Sequence, residues 1–200
     1  RNRLQSVAGI FALKRASRKR KSRHGIGFVI RNIDFHPYIL KQYNDRWFLI
    51  GAAENDGKVL TFALDRIDKV EALPEKKYKK CPDDIYERFE DIVGVTLYEG
   101  NPIEHILFWV SDFSKDYVIT KPIHESQVRY LGEKELRLHN NYPHLEGGAF
   151  FSIDCIRNYE LIRELCSYGK NLLVLSPETI KTEIMERISE MNEKYSELRT

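Results

Sequence analysis

Leu4, Val7, Ala8 and Phe11 fall at i, i+3, i+4 and i+7, a spacing that predicts one amphipathic helix over residues 3–15. From Gly25 the pattern changes period. Phe28-Val29-Ile30 and residues 33–40 are rich in β-branched and aromatic side chains and predict strands. Asn44-Asp45 marks a turn. Residues 46–52 read as a strand, Glu54-Asn55-Asp56-Gly57 as a hairpin turn with its Asp-Gly signal, and residues 59–64 as the partner strand. Ile67, Val70 and Leu73 continue the core pattern. Short strands joined by tight turns predict a small β-barrel over residues 25–73.

Residues 74–82, PEKKYKKCP, are lysine-rich and bounded by proline, and read as a linker. Residues 83–91 predict a short helix. The remainder reads β-α-β-β-α-β. Residues 104–110 are a strand, 114–120 a helix, 126–131 a strand and 148–156 a strand. Asn158 is the expected N-cap of a helix that runs through Tyr168 and stops at Gly169. Residues 172–175 predict a buried strand. Ser176 is the expected cap of the last helix, with Pro177 at its first position. Ile180, Ile184, Ile188, Met191 and Tyr195 form one stripe on that helix. This order is that of a ferredoxin-like α+β domain over residues 83–200 with an added C-terminal helix. The fold class is therefore mixed, a small barrel followed by an α+β domain.

The composition, 42% hydrophobic and 31% charged over 200 residues, is that of a globular chain able to bury a core. No apolar run approaches the roughly 20 residues that span a bilayer. The chain begins with Arg1 rather than Met, so a piece of a longer protein is expected. Charge is distributed unevenly. Residues 1–33 hold ten Lys or Arg and no acid, whereas residues 81–200 hold 13 basic and 22 acidic residues. Residues 14–23 alone carry seven basic side chains. Such a run is either a solvated, mobile loop or a contact for nucleic-acid phosphates, the candidates being Arg15, Arg18, Lys19, Arg20, Lys21 and Arg23. Cys81, Cys155 and Cys166 form no close pair and read as reduced thiols. His139 and His144 fall in a stretch read as a loop, without the spacing of a metal site.

Pro37-Tyr38-Ile39-Leu40, then Trp47-Phe48-Leu49, then Ala63-Leu64-Asp65-Arg66-Ile67 stand in the order and spacing of the WYL domain, which this segment resembles. Phe48 replaces the signature Tyr and removes one hydroxyl that could touch a ligand. Pro122-Ile123-His124-Glu125-Ser126-Gln127, Ser167-Tyr168-Gly169 and Val174-Leu175-Ser176-Pro177-Glu178 resemble the C-terminal extension that often follows it. The resemblance implies an Sm-like barrel, a cytoplasmic bacterial transcription regulator, a homodimer, and DNA contact through a helix-turn-helix domain for which residues 1–24 are too short.

A barrel that offers cations and aromatic rings together suits a nucleotide or a single-stranded nucleic-acid effector. Cations neutralise phosphate and ring faces stack on bases. The candidates are His36, Tyr38, Lys41, Arg46, Phe48 and Arg66. Strand alternation sets Arg46 and Phe48 on one face and Trp47 and Leu49, expected in the core, on the other. Arg66 either meets the ligand or pairs with Asp65 or Asp68. His124 and Ser126 share a strand face, but no acid orienter or oxyanion donor accompanies them. Hydrogen bonding at a strand start is the expected role, and no catalytic residue, metal or cofactor is expected. The alternative is an accessory module that binds nucleic acid directly through its basic N-terminal segment.

Overall fold

Asn44 and Asp45 adopt φ of 46° and 58°, the left-handed pair that closes a two-residue hairpin. This hairpin joins β3 (Phe28–Tyr43) to β4 (Arg46–Ala53). The second predicted hairpin also forms. Ala53 and Lys58 close it through a 3.1 Å backbone bond, and β5 (Val59–Ala63) follows. The structure, a computed structural model, describes the backbone of residues 4–6, 11–18, 28–98 and 100–198, and the side chains of residues 32–98 and 100–198. The chain divides into two units, Arg1–Tyr86 and Glu87–Thr200.

In the first unit β1 (Leu4–Ser6) and β2 (Phe11–Arg18) replace the helix predicted over residues 3–15. Helical spacing over so few residues is overridden by sheet pairing, because β2 lies between β3 and β6 (Ile67–Ala72) and is hydrogen-bonded to both. The same pairing takes residues 14–18 out of the loop expected for the basic run. Residues 19–23 lie outside the described residues.

The order is β5-β4-β3-β2-β6, antiparallel throughout, with β1 on β3. No pairing joins β5 to β6 among the described residues, so the predicted barrel is not closed by hydrogen bonds. The sheet is nevertheless strongly curled. Ala63 is opposite Phe48 and Lys41, and Ile67 is opposite Arg15 and Arg31. In a flat sheet those two residues would lie roughly 38 Å apart, yet the 3-10 turn Leu64–Arg66 between them spans at most about 14 Å. β3 must therefore bend.

The bend coincides with a bulge. Pro37 pairs with Gly51 and Ile39 with Ile50, which leaves Tyr38 as an extra residue. Its consequence is a change of face: Ile33 and Phe35 point into the same core as Leu40, together with Leu49, Leu60, Phe62 and Ile67. Phe35 and Phe62 meet edge to face at 5.2 Å. Gly51 is required here, because a Cβ would lie 2.0 Å from the His36 carbonyl oxygen and 2.7 Å from the Phe35 ring. Val70, predicted in the core, is 55% exposed on β6.

The second unit contains β7 (Ile103–Val110), α2 (Lys115–Thr120), β8 (Val128–Arg129), α3 (Glu133–Asn141), β9 (Ala149–Ile156), α4 (Tyr159–Ser167), β10 (Leu172–Ser176) and α5 (Glu178–Glu197). A short helix, α1 (Ile85–Glu90), spans the junction of the units. The antiparallel order is β10-β7-β9-β8. One sheet face carries Ile106, Phe108, Phe151 and Ile153 into a core completed by Leu161, Leu165 and Ile180. The Asn158 side chain accepts from the Leu161 amide at 2.8 Å and caps α4 as predicted, and Gly169 follows at φ +55°.

Four details differ from the sequence reading. α3 occupies the stretch read as a loop: Leu138 packs on Trp109 and Phe150, and His139 meets Phe150 edge to face at 4.9 Å. The strand predicted over residues 126–131 shortens to two residues. Leu173 is exposed, so β10 alternates rather than being buried throughout. Ser176 ends β10, and Pro177 takes the cap position of α5. No described helix is long and apolar enough to cross a membrane.

Candidate ligand-binding site

The six predicted ligand residues separate into two groups along β3 and β4. Tyr43 pairs with Arg46, and Lys41 with Phe48. Directly opposed residues share a face, so Lys41, Arg46 and Phe48 gather at the β3–β4 hairpin end. Phe48 is also opposite Ala63, which leads into the Leu64–Arg66 turn. Arg46 reaches that turn with its guanidinium 3.3 Å from the Asp65 carboxylate. Asp65 is thereby taken by Arg46, not by Arg66. Arg66 is exposed and forms no ion pair among the described residues. Phe48 is half-buried and Lys41 is buried. Trp47 is half-buried and Leu49 lies in the core, so only the second of these fully matches its expected place.

His36 lies at the other end, beyond the bulge, and Tyr38 is the bulge residue itself; both are buried. The segment read as a linker covers them. The Lys79 amide donates to His36 Nδ1 at 3.1 Å, so this nitrogen carries no proton and Nε2–H donates to the Glu54 carboxylate. Lys79 Nζ reaches the same carboxylate at 2.9 Å and also bonds the Glu54 carbonyl. Lys76 pairs with Asp34, and the Tyr78 hydroxyl donates to the Pro37 carbonyl at 3.1 Å. Residues 76–79 thus form a polar strap across β3 and the β4–β5 turn. Sequence reasoning missed Asp34, Glu54, Tyr78 and Lys79 as a set, because only the register of β3 against the hairpin brings them together. The one available signal was a histidine within an apolar strand.

Lys79 and His36 hold the Glu54 carboxyl down at about 2. A depressed carboxyl pKa contributes stability above its unfolded value and loses it as pH falls through the folded one. The strap is therefore expected to stay closed at pH 5 and to loosen only as pH falls from about 4.5 toward 2. Amide exchange at Lys79 across this range measures it. At neutral pH, Glu54→Gln is expected to speed tryptic cleavage at residues 76–80 several-fold, and an unchanged cleavage rate would show that the ion pair does not hold the strap.

Arg15 and Arg18 lie on β2, and Lys19, Arg20, Lys21 and Arg23 lie outside the described residues. In the second unit His124 Nδ1 is 2.7 Å from Ser126 Oγ, but the other ring nitrogen is bonded to the Glu90 carbonyl. Ser126 Oγ also bonds the backbone of Asp154, both amide and carbonyl. This geometry ties loop to strand. Cys155 is buried, and burial pushes its thiol up to about 12.

A curled antiparallel sheet with a bulged central strand, closed by a 3-10 turn that presents arginine, characterises the first unit. Residues 15–72 match the family model of the WYL domain, and the chain carries that domain. Two solved structures are similar. One is proteasome accessory factor B/C (PafBC) of Arthrobacter aurescens, at 14% identity and TM-score 0.35, covering 90% of this chain and 24% of that one. The other is a CRISPR Cas-related protein, at 12% identity and TM-score 0.46, covering 93% of this chain and 48% of that one. The chain spans about a quarter and about half of their respective lengths. A comparison with curated proteins gave no match.

Proposed function

We propose that this chain is the effector-sensing and dimerising portion of a bacterial transcriptional regulator. Its WYL domain binds a nucleotide or a nucleic-acid-like anion at the hairpin end of the sheet. The observation that carries the reading is that Arg46 takes Asp65 while Arg66 is exposed in the turn that follows Ala63, the residue opposite Phe48. A guanidinium next to an aromatic edge provides both phosphate pairing and base stacking. Titrating a short labelled single strand at several salt concentrations tests it, with affinity expected to fall as salt rises. Absence of binding at low salt would remove the reading. The chain is read as non-catalytic and cytoplasmic, and as acting on DNA through a helix-turn-helix domain of a longer protein. The curl of the first sheet supports an Sm-like barrel, and the strand order of the second supports a ferredoxin-like domain.

A second reading, direct nucleic-acid binding by the basic N-terminal segment, is favoured by the ten cations of residues 1–33, three of them (Lys14, Arg15 and Arg18) on β2. The two readings predict opposite rankings of variants at Arg66 and in the basic segment.

Dimerisation rests on α5. Ile180 is buried and Ile184 packs on the core, but Ile188, Met191, Tyr195 and Leu198 are exposed. Their spacing of three, four and three residues is that of a coiled-coil seam. The chain is expected to sediment near twice 23.6 kDa at tens of micromolar. Ile188→Asp together with Tyr195→Asp is expected to give the monomer, and a wild-type chain already monomeric would contradict the proposal.

A further inference from the structure

The second unit holds a recess of about 450 Å³ whose chemistry the sensing function leaves unused. α2 supplies Tyr117 on one side. α4 and the turn after it supply Glu164, Tyr168 and Asn171 on the other, and Phe113 stands at the rim. Phe113 is 88% exposed and Tyr117 52% exposed, so two large rings face solvent. The Tyr117 and Tyr168 centroids are 6.3 Å apart with planes at 56°, an open wedge of two rings.

The electrostatics of the wedge favour a cation. Glu164 lies in the last turn of α4 and forms no ion pair among the described residues. The helix C-terminus adds partial negative charge at the same place. Burial, with the charge of Glu164 behind it, pushes the Tyr168 hydroxyl up to about 12, so that ring stays neutral. Lys121 is the nearby cation, and it sits toward the hydroxyl end of the Tyr117 ring. Its Nζ is 3.0 Å from the Tyr117 hydroxyl but 5.4 Å from the ring centroid, which places it out beyond the oxygen.

We propose that this recess binds a small organic cation of the alkylammonium class, with its methyl groups on the Tyr117 and Tyr168 faces and its charge toward Glu164. Ring faces attract weakly hydrated cations. A hard metal ion requires six or more oxygen ligands, and one carboxylate does not supply them. The volume is that of a small-molecule site rather than of a macromolecular surface.

The test is an amide-shift titration of the full chain with choline, beside its neutral isostere 3,3-dimethyl-1-butanol. Choline is expected to shift the amides of Ser114, Ser167 and Asn171 saturably, with a Kd on the order of millimolar. The isostere is expected to bind roughly tenfold more weakly. Glu164→Gln and Tyr117→Leu, both at incompletely buried positions, are each expected to weaken choline severalfold while the amide spectrum elsewhere is unchanged. Equal binding of the isostere, full affinity in Glu164→Gln, or no saturable shift at about a hundred times millimolar would overturn the proposal.

Discussion

Gly51→Ala is expected to cost the first unit about 3 kcal/mol or more, a loss large enough to unfold it at moderate urea. The added Cβ would sit 2.0 Å from the His36 carbonyl oxygen, which is backbone of the paired strand and cannot turn aside. The Phe35 ring at 2.7 Å closes the remaining space. Relief would require β3 and β4 to separate at the bulge, and the bulge sets which face Leu40 and Ile39 occupy. Gly57→Ala is the control. Gly57 has φ +67° with nothing near its would-be Cβ, so it should cost only about 1 kcal/mol. Urea midpoints of the two variants decide the matter. If Gly51→Ala matched Gly57→Ala, the close approach at the bulge would be wrong.

Arg66→Ala is expected to weaken binding of a short single strand by about 1–3 kcal/mol, roughly 5- to 150-fold. Arg46 and Asp65 give this prediction its sign. Asp65→Asn leaves both guanidinium groups and removes the one carboxylate between them, so affinity should rise. Arg46→Ala should weaken binding beyond the loss of its own charge, because the carboxylate it now holds at 3.3 Å is released beside Arg66. Deleting residues 19–23, which spares β2, should reduce only the steeply salt-dependent component. If that deletion abolished binding and Arg66→Ala left it intact, the basic segment would carry the function and the WYL site would not. Anisotropy titrations at two salt concentrations separate these outcomes.

Local chemistry set much of what the sequence could predict. Asn44-Asp45 and Asp56-Gly57 specify their turns through residues that tolerate left-handed backbone. Asn158 specifies a helix start through its own side chain, and the α5 stripe is a periodicity that any reader can count. Motif order was equally legible, because Trp47-Phe48-Leu49 and the Asp65-Arg66 close need no three-dimensional information.

The tertiary structure decided what depends on partners distant in sequence. Residues 3–15 have helical spacing, but the described ones, 4–6 and 11–15, are strands, since β2 gains hydrogen bonds on both edges that a short isolated helix could not match. The bulge at Tyr38 shifts alternation by one residue, so face assignments along β3 fail after it. Residues 76–79 look like linker because their lysines have no local partners. Asp34 and Glu54 supply those partners from 42 and 25 residues away. Asp65 pairs with Arg46 rather than its neighbour, and Arg66 is exposed. By itself the sequence determined the turns, caps and family motif, because these rest on interactions within a few residues. Register, strap and ion-pair partners were decided only by folding, because a charge or an unpaired strand edge is satisfied by whatever the fold brings to it.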